Sequence, residues 1–284
     1  MKNILELSGY DVTDSYLRFF GITTITIAKP IKERLTKSKI NSKYSVSIIV
    51  PARNEEGNIG KIIPSIPKFG KWQEIVFVEG NSKDKTWEVI EKQVEKYKKS
   101  KYIKVKAFKQ KGRGKADAVK IGFEKAKGQI LMIYDADRTV EAHDLKKFYN
   151  VLAAGKAKFV NGSRLVYPME QDAMRTLNKI GNKFFSIVFT YILGIRFKDT
   201  LCGTKVLFKK DLEKYKRYYK RYLRIDPFGD FALIFMAVKN KMKVVEIPIR
   251  YKERVYGSTN INRFRHGLLL FKMAYQALLE FKIK

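Results

Sequence analysis

Residues 130–139 read ILMIYDADRT, an apolar run closing on two aspartates one residue apart, Asp135 and Asp137. In a strand, residues two apart point the same way, so both carboxylates can aim at one point where the strand frays into its loop. Two like charges so placed invite a divalent cation, and all-oxygen ligation suits Mg2+ or Mn2+. Magnesium takes one or two protein carboxylates and fills the rest of its shell with water and phosphate oxygens. The same spacing also suits a turn whose aspartates cap a helix, so the pair alone leaves both readings open.

Other polar motifs stand at comparable places. Pro51, Ala52, Asn54 and Glu55 follow VSIIV (46–50), Glu79 ends EIVFVE (74–79), and GRGK (112–115) lies between YIKVKAF (102–108) and QILMIYDAD (129–137). Helical segments separate the runs, among them TWEVIEKQVEKYKK and a stretch around 141–155, and KFVNGS (158–163) closes the series. Runs apolar on both faces, alternating with helices, predict an α/β fold with a mostly parallel sheet flanked by helices. Ligands of such sheets sit beyond the carboxyl ends of the strands. The motifs all fall there, which predicts that they surround one cleft.

Charge sets the chemical context. Lys and Arg number 59 against 28 Asp and Glu, a formal net charge of +31 over 284 residues. Such a field attracts nucleotides, nucleic acid and acidic lipid headgroups alike. No helix-turn-helix, zinc-finger or single-strand-binding signature is present, so a nucleic-acid partner is not expected. The one cysteine, Cys202, excludes an intramolecular disulfide and fits a reducing compartment. His143 and His266 stand in no metal-ligand spacing. The amino terminus shows no apolar signal segment, and the longest apolar run, FFSIVFTYILGI (184–195), is too short to span a bilayer. A cytoplasmic protein, peripheral on the cytoplasmic face of a membrane, is the expectation.

Beyond residue 165 the periodicity becomes helical. Leu177, Ile180, Phe184, Val188 and Ile192 form one apolar stripe, and Phe264, Leu268, Phe271, Tyr275 and Leu278 form another. Each stripe fits a helix packed on the domain or one lying in the interface of an anionic membrane. KYKRYYKRYLR (214–224) mixes tyrosine and base and fits a solvated helix, an interfacial belt or a nucleic-acid patch. The layout expected is an amino-terminal extension (1–44), a nucleotide-binding half (45–165), an acceptor-binding half (166–262) and a carboxy-terminal amphipathic helix (263–284).

PARNEEGNI, VEGNSKDKT, GRGKADAVKIGFEKAKG and DAD, in this order and spacing, resemble the family 2 glycosyltransferases of the GT-A (Rossmann-like) fold, and in particular the dolichol-phosphate mannose and glucose synthases. The likeness runs over about residues 46–262. It implies transfer of a sugar from a UDP- or GDP-sugar to a polyprenyl (dolichyl) phosphate, with inversion and with Mg2+ or Mn2+ as cofactor. Pro51, Ala52, Asn54 and Glu55 would border the nucleotide. Glu79 stands where the family has an aspartate against base or ribose, and Gly80 replaces its second aspartate, which leaves the base open. Lys115 would shape a loop near the nucleotide. Asp135 would contact ribose or metal-bound phosphate, and Asp137 would be the principal metal ligand.

In the second half, Gly162-Ser163-Arg164 resembles the family's GSR, and Arg175 sits where that branch places a phosphate-facing arginine. DTLCGTKVLF (199–208) looks like the acceptor-side segment, PFGDFALIFMA (227–237) like the helix that carries an acidic residue, here Asp230, and RVYGSTN (254–260), with Arg254, like the late RxxGxSK motif. A lipid-phosphate acceptor arrives anionic and needs cations, for which Arg164, Arg175 and Arg254 stand ready. A hydroxyl acceptor, as in polysaccharide or glycolipid synthesis, needs a base, and Asp230 is the candidate, unless it only begins its helix. Two further classes fit less well. A sugar-phosphate nucleotidyltransferase would carry a glycine-rich, arginine-containing loop where PARNEEGN stands, and a basic binding module explains the charge but not the ordered motifs.

Overall fold

The computed structural model describes residues 10–18, 23–30, 43–166, 176–226, 228–257 and 263–283. Within the amino-terminal segment, Tyr10–Arg18 (β1) and Thr23–Pro30 (β2) pair antiparallel.

The main sheet begins with Val46–Ala52 (β3), followed by Glu56–Ser65 (α1), Gln73–Glu79 (β4), Thr86–Tyr97 (α2), Ile103–Lys109 (β5), Gly114–Lys125 (α3), Ile130–Ile133 (β6), Leu145–Ala153 (α4) and Phe159–Ser163 (β7). The second half adds Thr176–Leu193 (α5), Lys205–Phe208 (β8), Lys209–Lys214 (α6), Lys216–Leu223 (α7), Phe231–Lys239 (α8), Val244–Pro248 (β9) and Arg263–Leu278 (α9). The seven strands lie in the order β5-β4-β3-β6-β8-β7-β9. All pairs are parallel except those of β8, which runs antiparallel to both β6 and β7.

Alternation along the strands explains the layers. Ile48 and Val50 face one core with α1 and α4, through Ile59, Ile62, Phe148 and Tyr149. Ile49, Leu131 and Ile133 face the other, which holds Val119 and Phe123 of α3, Phe189 of α5 and Phe231 of α8. Both faces of the central strands are therefore covered: β4 and β6 are buried throughout and β3 at every position but Pro51, including the polar Ser47, Gln73, Glu74 and Glu79.

The chain winds outward from β3 to β5 and returns to β6 on the other side of β3, so the order reverses between β3 and β6. Ligands of open α/β sheets bind at such a switch point. The loops after β3 and β6 carry Asn54, Glu55, Asp135 and Asp137.

Three expectations need correction. The strand expected to reach Asp137 ends at Ile133. Tyr134 N–H still donates to Ile49 O at 2.9 Å, but the chain then turns, with Arg138 at φ 57°. The two aspartates thus share a turn rather than a strand face, and the argument from two-residue periodicity does not apply to them. The strands β8 and β9 were not anticipated, because runs of four and five residues carry little periodic signal. Tyr218, Tyr219 and Tyr222 of KYKRYYKRYLR belong to α7, and Tyr219 and Tyr222 are buried in the core, so most of that segment is a packed amphipathic helix.

The two apolar stripes coincide with the helix cores only in part, at Ile192 and at Val188 and Leu278, which pack against the core. In α5 the buried side chains include Phe185, Phe189 and Ile192, while Ile180 (62%) and Phe184 (47%) are exposed together with Ile187 and Tyr191. In α9 the core is made by Leu270, Met273, Ala274 and Ala277, while Leu268 (75%), Phe271 and Tyr275 are exposed. The ring of Phe271 lies 5.9 Å from Phe184 and 5.1 Å from Phe185, which joins the exposed residues of both helices into one apolar face. Leu177 and Phe264 lie outside the residues whose side chains are described. Among the described residues, no helix is long and apolar enough to cross a membrane.

Candidate active site

The loop after β3 is pinned to the loop after β4 by hydrogen bonds. Asn54 N–H donates to Ser82 Oγ at 3.0 Å, Lys83 N–H to Asn54 Oδ1 at 2.8 Å, and Glu55 N–H to Thr86 Oγ1 at 2.8 Å. Asn54 has φ 55°, a left-handed conformation that asparagine tolerates better than most residues. Glu79, buried at the end of β4, accepts Ser82 N–H. Glu55 is also buried; it accepts Asn58 Nδ2–H at 2.7 Å and pairs with Arg254 Nη2. Burial raises the Glu55 carboxyl above its ordinary range and the charge of Asp137 adds to this, against the opposing effects of Asn58 and Arg254. Glu55, Asp137 and Arg254 are thus electrostatic neighbours, although they come from three separate parts of the chain.

Asp137 folds onto its own turn, where Oδ1 accepts Thr139 N–H at 3.1 Å and Thr139 Oγ1–H at 2.9 Å. Burial first, and the negative charge of Asp135 second, raise the Asp137 carboxyl above the usual carboxylate range. Asp135 meets the Lys115 ammonium, with Oδ1 at 2.7 Å and Oδ2 at 3.0 Å. Burial works against the charged Lys115, but Asp135 and Asp230 outweigh it and raise its pKa.

Asp230 completes this group. Its Oδ2 lies 3.6 Å from Lys115 Nζ and its Oδ1 lies 3.8 Å from Nζ of Lys205, a fully buried lysine on β8. Gly229 makes the approach possible. It has φ 75°, and a Cβ there would come within 2.9 Å of Ala116 Cα, so α8 starts directly against the first turn of α3. Asp230 makes no side-chain hydrogen bond to cap α8. That part is taken by Asp226, whose carboxylate accepts Phe228 N–H at 2.9 Å and Ala232 N–H at 2.8 Å. Asp230 therefore stands at the N-cap position of α8 without capping it through its side chain.

Arg164 does not stand free for an acceptor. Its Nε donates to Asp199 Oδ2 at 2.7 Å and its Nη2 to Asp199 Oδ1 at 2.9 Å, and the guanidinium stacks 5.2 Å from the Tyr251 ring. Although burial alone would raise it, Arg164 holds the Asp199 carboxyl below its ordinary value. This buried fork anchors the 199–204 segment. Arg175 lies outside the described residues.

A model for glycosyl transferase family 2 matches residues 47–236, two-thirds of the chain and the whole span from β3 into α8. The chain belongs to glycosyl transferase family 2. Among the relatives of this glycosyltransferase is the UDP-N-acetylglucosamine–dolichyl-phosphate N-acetylglucosaminyltransferase of Methanococcus voltae, 26% identical, covering 82% of this chain and 95% of that protein. The dolichyl-phosphate beta-glucosyltransferase of Saccharomyces cerevisiae is also 26% identical, over 85% of this chain and 78% of its own. In fold, the glycosyltransferase is similar to the mannosyltransferase PcManGT of Pyrobaculum calidifontis, solved with GDP-Man and Mn2+, with a TM-score of 0.54 and 17% identity over 83% of this chain and 72% of that one. The mostly parallel seven-stranded sheet with flanking helices is the GT-A arrangement.

The glycosyltransferase's donor set suits a divalent cation that arrives with phosphate. Among the described residues, no cluster of three or more His, Cys, Asp or Glu could hold a metal unaided. Two neighbouring carboxylates are what a magnesium-like ion takes from protein when phosphate oxygens supply the rest. Burial is the first cause of the raised Asp137 carboxyl, and the neighbouring negative charge of Asp135, the second, is one that a cation would offset.

Three residues escaped the sequence reading. Asp199 and Lys205 sit inside apolar or mixed runs, and nothing in their spacing signals a buried charge. Gly203 stands in the segment likened to the acceptor side, but its need to be glycine is visible only in three dimensions, where a Cβ would overlap both Asp135 Oδ2 and Lys115 Nζ.

Proposed function

We propose that the chain transfers a sugar from a UDP- or GDP-sugar to a polyprenyl phosphate at a membrane surface, with inversion at the anomeric carbon. The observation that carries the reading is the placing of Asp230 between two ammonium groups, Lys115 and Lys205. A general base for a hydroxyl acceptor needs an open carboxylate oxygen facing that hydroxyl. Here Asp230 is buried beside two ammonium groups, Lys115 at 3.6 Å and Lys205 at 3.8 Å, so its carboxylate sits among cations rather than open to an acceptor hydroxyl, and an acceptor phosphate requires no base. One acceptor oxygen attacks the anomeric carbon, and the bond to the nucleoside diphosphate breaks with its electron pair leaving on the diphosphate.

In this reading Pro51, Ala52, Asn54, Glu55 and Glu79 border the nucleotide, and Lys115 and Arg254 face its diphosphate. Asp135 and Asp137 hold Mg2+ or Mn2+, which when bound supplies positive charge to the departing diphosphate. The dolichyl-phosphate relatives support the acceptor class, and the GDP-Man and Mn2+ of the similar fold support donor and metal. Phe189 of α5 packs 4.8 Å from Phe231, the residue after Asp230, so the exposed apolar face belongs to helices adjoining this end of the site. Lys183 of α5 and Lys272 of α9 are exposed, and exposed Lys282 lies 5.2 Å from the Tyr191 ring, which supports a peripheral position on an anionic, cytoplasmic leaflet.

The test supplies labelled UDP- and GDP-sugars with Mn2+ and compares polyprenyl phosphate with the corresponding free polyprenol. Label passing into the organic phase only with the phosphate supports the reading. Transfer to the alcohol at an equal or higher rate would establish the hydroxyl-acceptor alternative with Asp230 as base.

A further inference from the structure

The Lys115 ammonium contacts both oxygens of Asp135, at 2.7 and 3.0 Å, and lies 3.6 Å from Asp230 Oδ2. The charge of Asp137 also acts on it. One monovalent cation therefore serves three carboxylates, and it occupies the same Asp135 oxygens that a divalent ion would use. Asp230 is only 6% exposed, and its Oδ1 has no hydrogen-bond partner. The nearest ammonium to that oxygen, on Lys205, is 3.8 Å away and donates instead to Cys202 O. A buried acceptor without a donor is costly, so Asp230 holds acceptor capacity in reserve within reach of Lys115.

We propose that Lys115 is an exchangeable counterion. It competes with the divalent cation for Asp135, and cation binding transfers the ammonium to Asp230. The inference rests on the reading of Asp135 and Asp137 as the cation site. Its physical basis is charge balance. Two aspartates crowded at one turn repel each other, and Lys115 offsets that repulsion. When a divalent ion takes over the task, an ammonium beside it is repelled and needs another anion, which Asp230 provides. Lys205 is the second cation at Asp230, and it sets how strongly Asp230 draws Lys115.

The test is an Mn2+ titration of the whole chain, followed by the EPR signal of the free ion, in the wild type, Lys115→Met, Asp230→Asn, the double variant and Asp137→Ala. Removing a competing charge a few ångströms away predicts Mn2+ binding about tenfold tighter in Lys115→Met. Asp230→Asn leaves the ammonium on Asp135 and weakens binding about threefold or more. The double variant matches Lys115→Met to within about twofold, because Asp230 then has no ammonium to receive. Lys115→Gln, checked with Lys115→Met by circular dichroism, guards against a folding defect. Unchanged affinity in both Lys115 variants, or an equal Asp230→Asn effect with and without Lys115, overturns the exchange. If Asp137→Ala abolishes binding while Lys115→Met stays at the wild-type affinity, only the exchange is lost. If Asp137→Ala binds like the wild type, the cation-site reading fails and the exchange with it.

Discussion

Burial decides what individual side chains can do in this glycosyltransferase, and Cys202 shows it most simply. The thiol is fully buried, and burial first, then the charge of Asp199, push its pKa up from 9.0 to about 11. The thiolate is the reactive form, so the folded protein should resist iodoacetamide at pH 8, and full alkylation should require denaturant. The linkage has a definite sign. A raised folded pKa contributes stability that is complete below pH 9.0 and is lost as the pH rises through about 11. Alkylation of the native protein at the rate of a free thiol would contradict this burial. Asp135 and Asp137 were legible as a candidate cation pair from the apolar run before them and the ordered motifs around them, although the strand periodicity invoked for the pair does not hold in their turn. The counter-charges were not, because an ion pair such as Arg164–Asp199 joins residues 35 positions apart and leaves no local pattern.

Among the elements, close approach does most to shape the site, and two glycines carry it. Gly229 combines φ 75° with the nearby Cα of Ala116, so Gly229→Ala strains backbone against backbone. A loss of about 2 kcal/mol, seen as a drop of several degrees in Tm, is expected. Gly203 differs, because the atoms nearest its added Cβ belong to the Asp135 carboxylate and the Lys115 ammonium rather than to backbone. Those groups can shift, so Gly203→Ala should keep Tm within about two degrees while lowering sugar transfer at least about tenfold. Calorimetry and an activity assay on both variants check the contrast, and similar losses of Tm in the two would contradict it.

The parallel strands β3, β4 and β6 were readable because strands buried on both faces carry long apolar runs, IIV, IVFV and ILMI here. The second half was less so: β8 and β9 are short, and the stripes drawn through α5 and α9 mixed outward-facing residues such as Ile180, Phe184, Leu268 and Tyr275 with core residues such as Ile192. Phe185 and Phe189 are as apolar as Ile180 and Phe184, so periodicity located the helix but not its buried side. The error is informative, since the surplus of apolar residues is what leaves an exposed face.

For the whole molecule, the proposed membrane position rests on that exposed face together with the net charge of +31. Apolar burial gives interfacial helices their depth, and the positive field gives preference for anionic lipid. Flotation with phosphatidylserine-containing vesicles should carry the wild type upward at low salt, and Phe184→Asp with Phe271→Asp should leave it in the protein fraction with folding intact. No flotation of the wild type at low salt would remove the membrane from the account.

The site itself depends on charge gathered from across the sheet, with acids from the β3 and β6 loops and cations from α3, β8 and the 254–257 segment. The measurement closest to the central claim is the initial rate of sugar transfer with Mn2+ and with EDTA, in the wild type and in Asp137→Ala of verified fold. The account predicts that EDTA stops the wild type and that Asp137→Ala loses at least about a hundredfold in rate with Mn2+ present. Transfer by Asp137→Ala at the wild-type rate, indifferent to EDTA, would contradict it.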